Sequence, residues 1–359
     1  MIDSGKFSDK KILLIDKEKK VKNDRTWCFW EIEESYFENL IYKKWNDLVF
    51  KSDSTTIDLD ISPYEYKMIR GTDFYKFVFE KISKQSNITL KYDTINVIEG
   101  HGSVDIKMGT ESINIGNAII FNSIYNPTEN KNHFNLLQHF TGWIIETPLN
   151  YFDKAILMDF SISQKQGTSF IYLLPISPTK ALIEFTLFTK NILEKSDYEK
   201  ALKEYIGSIG ITEYKILETE FGVIPMTNSK FKFYNNGMYH IGTAGGQTKA
   251  STGYTFKFIQ QHSEQILKDL ISFGKPSTNS GTSKKFNFYD STLLHILANE
   301  KLEGKEVFTQ LFLKNKASKV FKFLDNETNI QEDLKIINSL PKKEFFKAGI
   351  KELFKMIRS

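Results

Sequence analysis

The 359 residues carry 48 basic against 44 acidic side chains, a net charge of +4 that is too balanced to argue for a nucleic-acid partner. A single cysteine, Cys28, excludes an internal disulfide and fits a reducing cytoplasm. The longest apolar stretches resemble FIYLLPI (170–176), far short of the roughly 20 residues a membrane span needs, which predicts a protein that is soluble or bound to a membrane surface. The charged start, Lys6 to Lys11, with only four apolar residues after it, does not read as a signal peptide. Thirty Phe and 16 Tyr read as a compositional bias rather than as an aromatic-lined site.

Residues 11–31, KILLIDKEKKVKNDRTWCFWE, open with an apolar strand, Ile12 to Ile15, that ends in Asp16. In a dinucleotide-binding βαβ unit, such an acid closes the second strand and holds a ribose hydroxyl, roughly 20 residues after a glycine-rich loop. Fifteen residues precede Asp16, and Gly5 is their only glycine. Strands follow at WNDLVF (45–50), ITLKYD (88–93), TINVIE (94–99) and NAIIF (117–121), with a helix over 73–84 that has Phe74, Phe77, Val78 and Ile82 on one face. A second block holds strands at GWIIET (142–147) and AILMDFSIS (155–163). SFIYLLPIS and KALIEFTLF then form a hairpin around Pro178, and helical pattern covers 197–205.

A third block runs from FGVIPMT (221–227) to residue 261. Within it, the strand MYHI enters a turn with Gly242, Ala244, Gly245 and Gly246, and a helix capped by Ser251 or Thr252 carries Tyr254 and Phe258 on one face. Such glycines admit a ligand close to the backbone, and a helix N-terminus offers it free N–H groups. Residues 274–283, GKPSTNSGTS, make the best linker. Short helices follow, one over 291–301 and stopped by Gly304. Strands alternating with helices around an antiparallel block predict a two-domain α/β architecture.

Several stretches together resemble the lycopene β-cyclases, flavoproteins that close the ends of the linear carotenoid lycopene. They are DRTWCFWE after the ILLID strand, LMDFSIS with YLLPISPTKALIEFT, IGTAGG followed by STGYTF, and FYDSTLLHIL, VFTQLF and KFLDN near the end. The likeness implies a two-domain FAD-dependent flavoprotein fold. A Rossmann-type βαβ domain would take residues 1–125 and 220–273, an antiparallel-sheet substrate domain 126–219, and a helical C-terminal region 284–359. The family begins with a strand and a G-x-G-x-x-G loop, whereas MIDSGKFSDKKI reads as the end of the helix after that loop. Asp16 then matches the ribose acid of a unit whose front is absent, through a misassigned start, a truncated copy or a natural short form, and weak FAD binding is expected. Ala250 stands where the family often has proline.

Carotenoid cyclisation adds a proton to a terminal alkene, closes a ring through a carbocation and removes a proton, with no net redox change. It needs an acid held protonated in a dry site. In KALIEFTLF, alternation puts Ala181, Ile183, Phe185 and Leu187 on one face and Leu182, Glu184, Thr186 and Phe188 on the other. Taken alone, Glu184 fits either a solvent-facing strand residue or a desolvated acid; the match to the family's LIE-x-T pattern selects the acid. Asp159 in LMDFS either shares a proton with Glu184 or is a hydrogen-bonded structural residue. Phe160, Tyr172, Trp143 and Tyr254 offer ring faces to a cation. The six histidines, 101, 133, 139, 240, 262 and 295, show no ligand spacing, so no metal site is expected.

The resemblance further implies reduced FAD, with NAD(P)H as electron source. The flavin would meet Gly242, Thr243, Ala244, Gly245, Gly246, Thr252, Gly253 and Tyr254, besides Asp16; Arg25 is either a further contact or a surface charge. The partners would be lycopene or a related linear carotenoid and an anionic membrane surface, with the protein cytoplasmic and peripherally membrane-associated. Residues 342–359 fit a basic amphipathic helix, with Phe346, Ile350, Leu353 and Ile357 as its stripe and Lys343, Lys347, Lys351 and Lys355 on another face. That helix lies either on lipid or against the domain. A flavin monooxygenase of the same fold and a flavin-free carotenoid-binding remnant are the competing readings.

Overall fold

The computed structural model describes residues 1–53, 55–100, 104–109, 111–116, 118–127, 133–278 and 283–358. His101, Asn117 and residues 279–282 of the expected linker lie outside them. The first block holds β1 (Ile12–Asp16), β2 (Thr26–Glu31), β3 (Lys43–Trp45), β4 (Asp47–Ser52), β5 (Thr55–Asp60), β6 (Glu65–Arg70) and α1 (Gly71–Ser83). It continues through β7 (Ile88–Tyr92), β8 (Ile95–Gly100), β9 (Val104–Met108), β10 (Glu111–Ile115) and β11 (Ile120–Asn122). Next come β12 (Asn135–Glu146), β13 (Ala155–Asp159), β14 (Thr168–Ser177), β15 (Lys180–Thr189), α2 (Lys195–Ser208), β16 (Lys215–Thr227), β17 (Tyr234–Asn235) and β18 (Met238–His240). Six helices follow: α3 (Phe256–Phe273), α4 (Lys284–Ala298), α5 (Gly304–Lys314), α6 (Ala317–Leu324), α7 (Ile330–Ser339) and α8 (Lys342–Arg358).

A seven-stranded sheet in the order β16-β12-β15-β14-β13-β4-β5 carries the core. Its centre is the expected hairpin, β14 against β15, and it recruits β4 and β5 from the first block and β16 from the third. Alternation along β15 gives the sheet two different faces. Ala181, Ile183, Phe185 and Leu187 pack under α2, whose Tyr198, Leu202, Tyr205 and Ile206 recur at helical spacing. Leu182 and Phe188 point the other way, into a core shared with Trp30 of β2, Tyr66 and Met68 of β6, and residues of α5 and α6.

The dinucleotide-type strands form smaller sheets. β1 pairs with β7 in parallel, and β11 pairs with β18 in parallel. Parallel strands are ordinarily covered on both faces, yet Leu13 and Leu14 of β1 are 43% and 40% exposed.

Two helix boundaries differ from expectation. The helix after STGY starts at Phe256 behind Thr255; Ser251 instead donates its hydroxyl to Asp290 at 2.7 Å, beside the Lys249–Asp290 ion pair, also 2.7 Å. Gly304 opens α5 rather than stopping α4, which ends at Ala298. The reason is packing: a Cβ on Gly304 would lie 2.3 Å from both Cγ2 and Oγ1 of Thr168, so only glycine seats α5 on β14. Gly304→Ala should therefore lower stability by about 1–3 kcal/mol in urea unfolding, and Thr168→Ala in the same chain should recover only part of it, since the Thr168 Cβ also lies 2.8 Å from the added carbon.

Candidate active site

Glu184 lies in the middle of a row of residues fixed by strand register. Reading across the sheet, Glu220 of β16 faces Gly142 of β12, Gly142 faces Glu184 of β15, and Glu184 faces Tyr172 of β14. Because Gly142 has no side chain, Glu220 leans over it: a Cβ there would sit 2.9 Å from Glu220 Oε1 and 3.1 Å from Leu182 Cδ1. The two carboxyls thereby become close neighbours, with Glu220 Oε1 left without a hydrogen-bond partner. The Thr186 hydroxyl donates to Glu184 Oε1 at 2.7 Å, and Thr26 of β2 reaches the Glu220 carboxyl. Burial first, and then the neighbouring Glu220 charge, push the Glu184 carboxyl well above the usual range. Burial raises Glu220 as well.

β2 builds the opposite wall. Thr26, Cys28 and Trp30 alternate toward the carboxyls, while Trp27 and Phe29 pack on Phe256 at the start of α3, with ring centroids 5.6 and 4.8 Å away. The Tyr254 hydroxyl lies between those of Tyr66 and Tyr172, and burial pushes it up to about 12. Tyr172 and Tyr254 line a narrow space together with Trp30, Phe188, Phe308 and Phe321. Trp30 stacks on Phe321 at 4.4 Å and meets Tyr254 edge-on at 4.4 Å. Aromatic rings thus wall this space.

This space adjoins a larger apolar groove between α4, α5, α7 and α8. Thr252, Phe308, Leu311 and Leu324 line both. The Thr252 hydroxyl is buried at that junction without a hydrogen-bond partner.

The expected flavin segment divides. Gly242, Thr243, Ala244 and Gly245 make a 3-10 turn after β18, and Gly246 closes it at φ +78°. Most of its glycines are required by the protein itself. A Cβ would lie 2.2 Å from the His240 carbonyl at Gly245, 2.9 Å from Phe231 at Gly246 and 2.1 Å from Gln138 Oε1 at Gly253. Gly242 alone among these four combines a positive φ, +60°, with open space, its nearest neighbour being Ile259 Cδ1 at 3.7 Å. The N-terminus of α3 has no side-chain cap, which leaves donors and a positive dipole end. These residues fit the ring end of a flavin. At the end of β1, Asp16 accepts from the Glu18 N–H at 3.1 Å, faces Lys20 at 3.4 Å and lies close to Arg25, which pairs with Asp24 at 3.0 Å. No glycine loop that would cradle a diphosphate precedes β1 among the described residues.

Three expected residues sit elsewhere. Asp159 does not join Glu184: its Oδ1 accepts from the Ser161 N–H and hydroxyl, and its Oδ2 accepts from Tyr205 of α2 at 2.9 Å, on the far side of the sheet. Trp143 belongs to that same α2 face. Phe160 is wholly buried in the other core, 5.2 Å from Phe170 and 5.8 Å from Phe308. Sequence reasoning missed Glu220, Thr26, Tyr66 and Trp30. Glu218 and Glu220, two strand positions apart ahead of Phe-Gly, were the only hint. No group of three or more potential metal ligands occurs among the described residues.

The profile of the family described as Lycopene cyclase protein matches residues 6–349. A lycopene beta-cyclase of Pantoea ananas is 25% identical over 262 residues, 69% of this chain and 64% of that protein. One from a Paracoccus species is 29% identical over 152 residues, 40% of this chain and 38% of that protein. The match thus spans less than two thirds of either relative. Among solved structures, a geranylgeranyl bacteriochlorophyll reductase-like protein of Thermoplasma acidophilum superposes with a TM-score of 0.55 at 12% identity, covering 96% of this chain and 92% of that one. A probable FAD-dependent monooxygenase of Pseudomonas aeruginosa gives 0.51 at 9% identity, covering 81% and 91%. What these share with the chain is the fold, an α/β fold of FAD-dependent enzymes.

The placement of Asp159 has a measurable consequence. Asp159→Asn should destabilise the α2–sheet contact by about 1–3 kcal/mol in chemical denaturation. It should leave the titration of Glu184, followed by infrared absorption of the protonated carboxyl, unmoved.

Proposed function

The chain belongs to the lycopene cyclase family, and from that membership we propose that it closes the ends of a linear carotenoid into rings by proton-initiated cyclisation, with Glu184 as the acid. The observation that carries this reading is a half-buried carboxyl between Leu182, Thr186 and Tyr172 on the inner face of β15, next to a narrow space walled by aromatic rings. Desolvation and the neighbouring Glu220 charge favour the protonated form of Glu184 more than in an exposed glutamate. Donation to the terminal alkene breaks the Glu184 O–H bond and forms a C–H bond. The faces of Trp30, Tyr172 and Tyr254 then surround the cation, and their packing keeps out water that would trap it. A second alkene of the chain then gives its π pair to the cation, forming the C–C bond that closes the ring, and the proton lost from the neighbouring carbon restores the carboxyl.

The turn at Gly242, Thr243 and Ala244 and the N-terminus of α3 would hold a flavin ring, with Asp16 and Arg25 toward its other end. A reduced flavin, kept so by NAD(P)H, would supply negative charge beside the cation. The groove offers an apolar route from the surface of α8 to the acid. No helix among the described residues is long and apolar enough to cross a membrane, so a lipid-borne substrate must be met at the interface. α8 suits that task. Its protein-facing positions are Ala348 and Glu352, the latter bonded to His295 of α4 at 2.8 Å. Its stripe stays uncovered: Phe346 is 71%, Ile350 40%, Leu353 50% and Ile357 73% exposed, with Phe354 also exposed next to them.

Glu184→Gln keeps the side chain's size and removes its proton. Ring formation in lycopene-accumulating cells should fall by roughly 10²–10⁴-fold, while the melting temperature stays close to that of the parent; undiminished ring products would remove Glu184 from the acid role. The α8 reading is tested with Phe346, Phe354 and Ile357 all changed to Ser, which leaves Ala348 and Glu352 in place. Co-sedimentation with phosphatidylglycerol-containing vesicles should drop and high salt should weaken what remains. Unchanged sedimentation would return α8 to an ordinary surface helix.

A further inference from the structure

Glu220 has no task in the reading above, yet the fold goes to some length to place it. It is buried on β16, one strand beyond Gly142, and its Oε1 has no hydrogen-bond partner. An unpaired buried carboxylate is costly, so a neighbour must share its charge or supply a proton. The groups that face the pair are Thr26 and Cys28 of β2, Tyr66 of β6, Tyr172 of β14 and Tyr254, with Glu218 and Asp24 further along. Every titratable group in that set is neutral or negative. Among the described residues, no lysine, arginine or histidine forms an ion pair with either glutamate. The donor closest at hand is Glu184 itself.

We propose that Glu220 is a positioning residue for the cyclisation: the two carboxyls hold one proton between them, Glu220 carrying the negative charge while Glu184 presents the proton to the substrate. The inference rests on Glu184 being the acid. When the Glu184 O–H bond breaks, the π electron pair of the alkene forms the new C–H bond and the pair is left with two negative charges beside the carbocation. After ring closure, a C–H bond next to the cationic carbon breaks, its electrons become the ring double bond, and the proton returns to the pair. No proton need come from bulk water between turnovers, and no oxidant or reductant enters the account. Gly142 is part of the device, since any side chain there would part the carboxyls.

The experiment follows the protonated-carboxyl infrared absorption of the purified full chain against pH, beside the pH profile of ring closure, in the parent, Glu220→Gln and Gly142→Ala. A charge on Glu220 favours the protonated form of Glu184, and its removal favours ionisation. Glu220→Gln should therefore move the loss of the carboxyl signal, and the alkaline limb of the rate profile, to lower pH by about one unit or more. Gly142→Ala keeps both acids, inserts a Cβ 2.9 Å from Glu220 Oε1, and should shift both in the same direction by less. A folded Glu220→Gln protein with both curves unmoved overturns the proposal; if that variant does not fold, unmoved curves in Gly142→Ala do so. Loss of activity in Glu184→Gln alongside unmoved curves in Glu220→Gln sinks the pair and spares the acid. Full activity in Glu184→Gln sinks the acid and the catalytic task of Glu220 with it, even where the infrared shift appears.

Discussion

A carboxyl placed inside a protein must be neutral, paired or hydrogen-bonded, and the arrangement around Glu184 follows from that constraint. The Thr186 hydroxyl takes one oxygen, Glu220 approaches the other side, and the aromatic walls exclude water. All of it depends on strand register. Side chains alternate along β15, so a slip of one residue would turn Glu184 under α2 and bring Ile183 or Phe185 to the cavity. Ten residues of β12, from Leu137 to Glu146, pair on both sides, with β15 and with β16. That double ladder locks Glu220, Gly142 and Glu184 in line.

The sheet separates mechanical work from chemistry. Under α2, polar groups are satisfied among themselves: Tyr205 donates to Asp159, and His139 lies 2.5 Å from the Tyr198 hydroxyl. On the other face, polar atoms are left in want of partners. Glu220 Oε1, Thr252 Oγ1 and Gln138 Oε1 are buried without one. Groups of that kind are rare in folded proteins and concentrate where a ligand or a proton is handled. The C-terminal helices close this second face, and α5 can do so only because Gly304 lets it rest on Thr168.

Local pattern made much of this legible. The β14–β15 hairpin, the two faces of β15 and the amphipathic character of α8 were readable because period two and period 3.6 survive in those segments. Asp159 was misplaced because β13 is irregular: its register shifts after Ile156 against both β14 and β4, so counting by twos no longer says which face a residue takes. Glu220 was invisible for a different reason. Its meaning comes from pairing with β12, nearly eighty positions earlier in the chain, and from the absence of a side chain at Gly142. Gly304 looks like a helix stop in sequence, and only the close approach of Thr168 shows that it is a helix start.

α8 inverts the usual logic of a surface helix. Such a helix normally turns its apolar stripe inward and its charges out. Here the contact with α4 runs through Glu352, His295 and Ala348, with Lys355 paired to Glu352 and seated over the Phe134 ring at 4.4 Å, while the stripe faces outward. Phe346, Ile350 and Leu353 also form one lip of the groove that continues to Thr252 and, past Leu311 and Phe308, to the tyrosines beside the acid. Under the proposed function, an apolar surface, an apolar groove and a half-buried acid in sequence would let a lipid-dissolved alkene reach a proton without crossing water. Under the same proposal, a helix fixed to the protein by the His295–Glu352 hydrogen bond would keep its apolar side free for lipid.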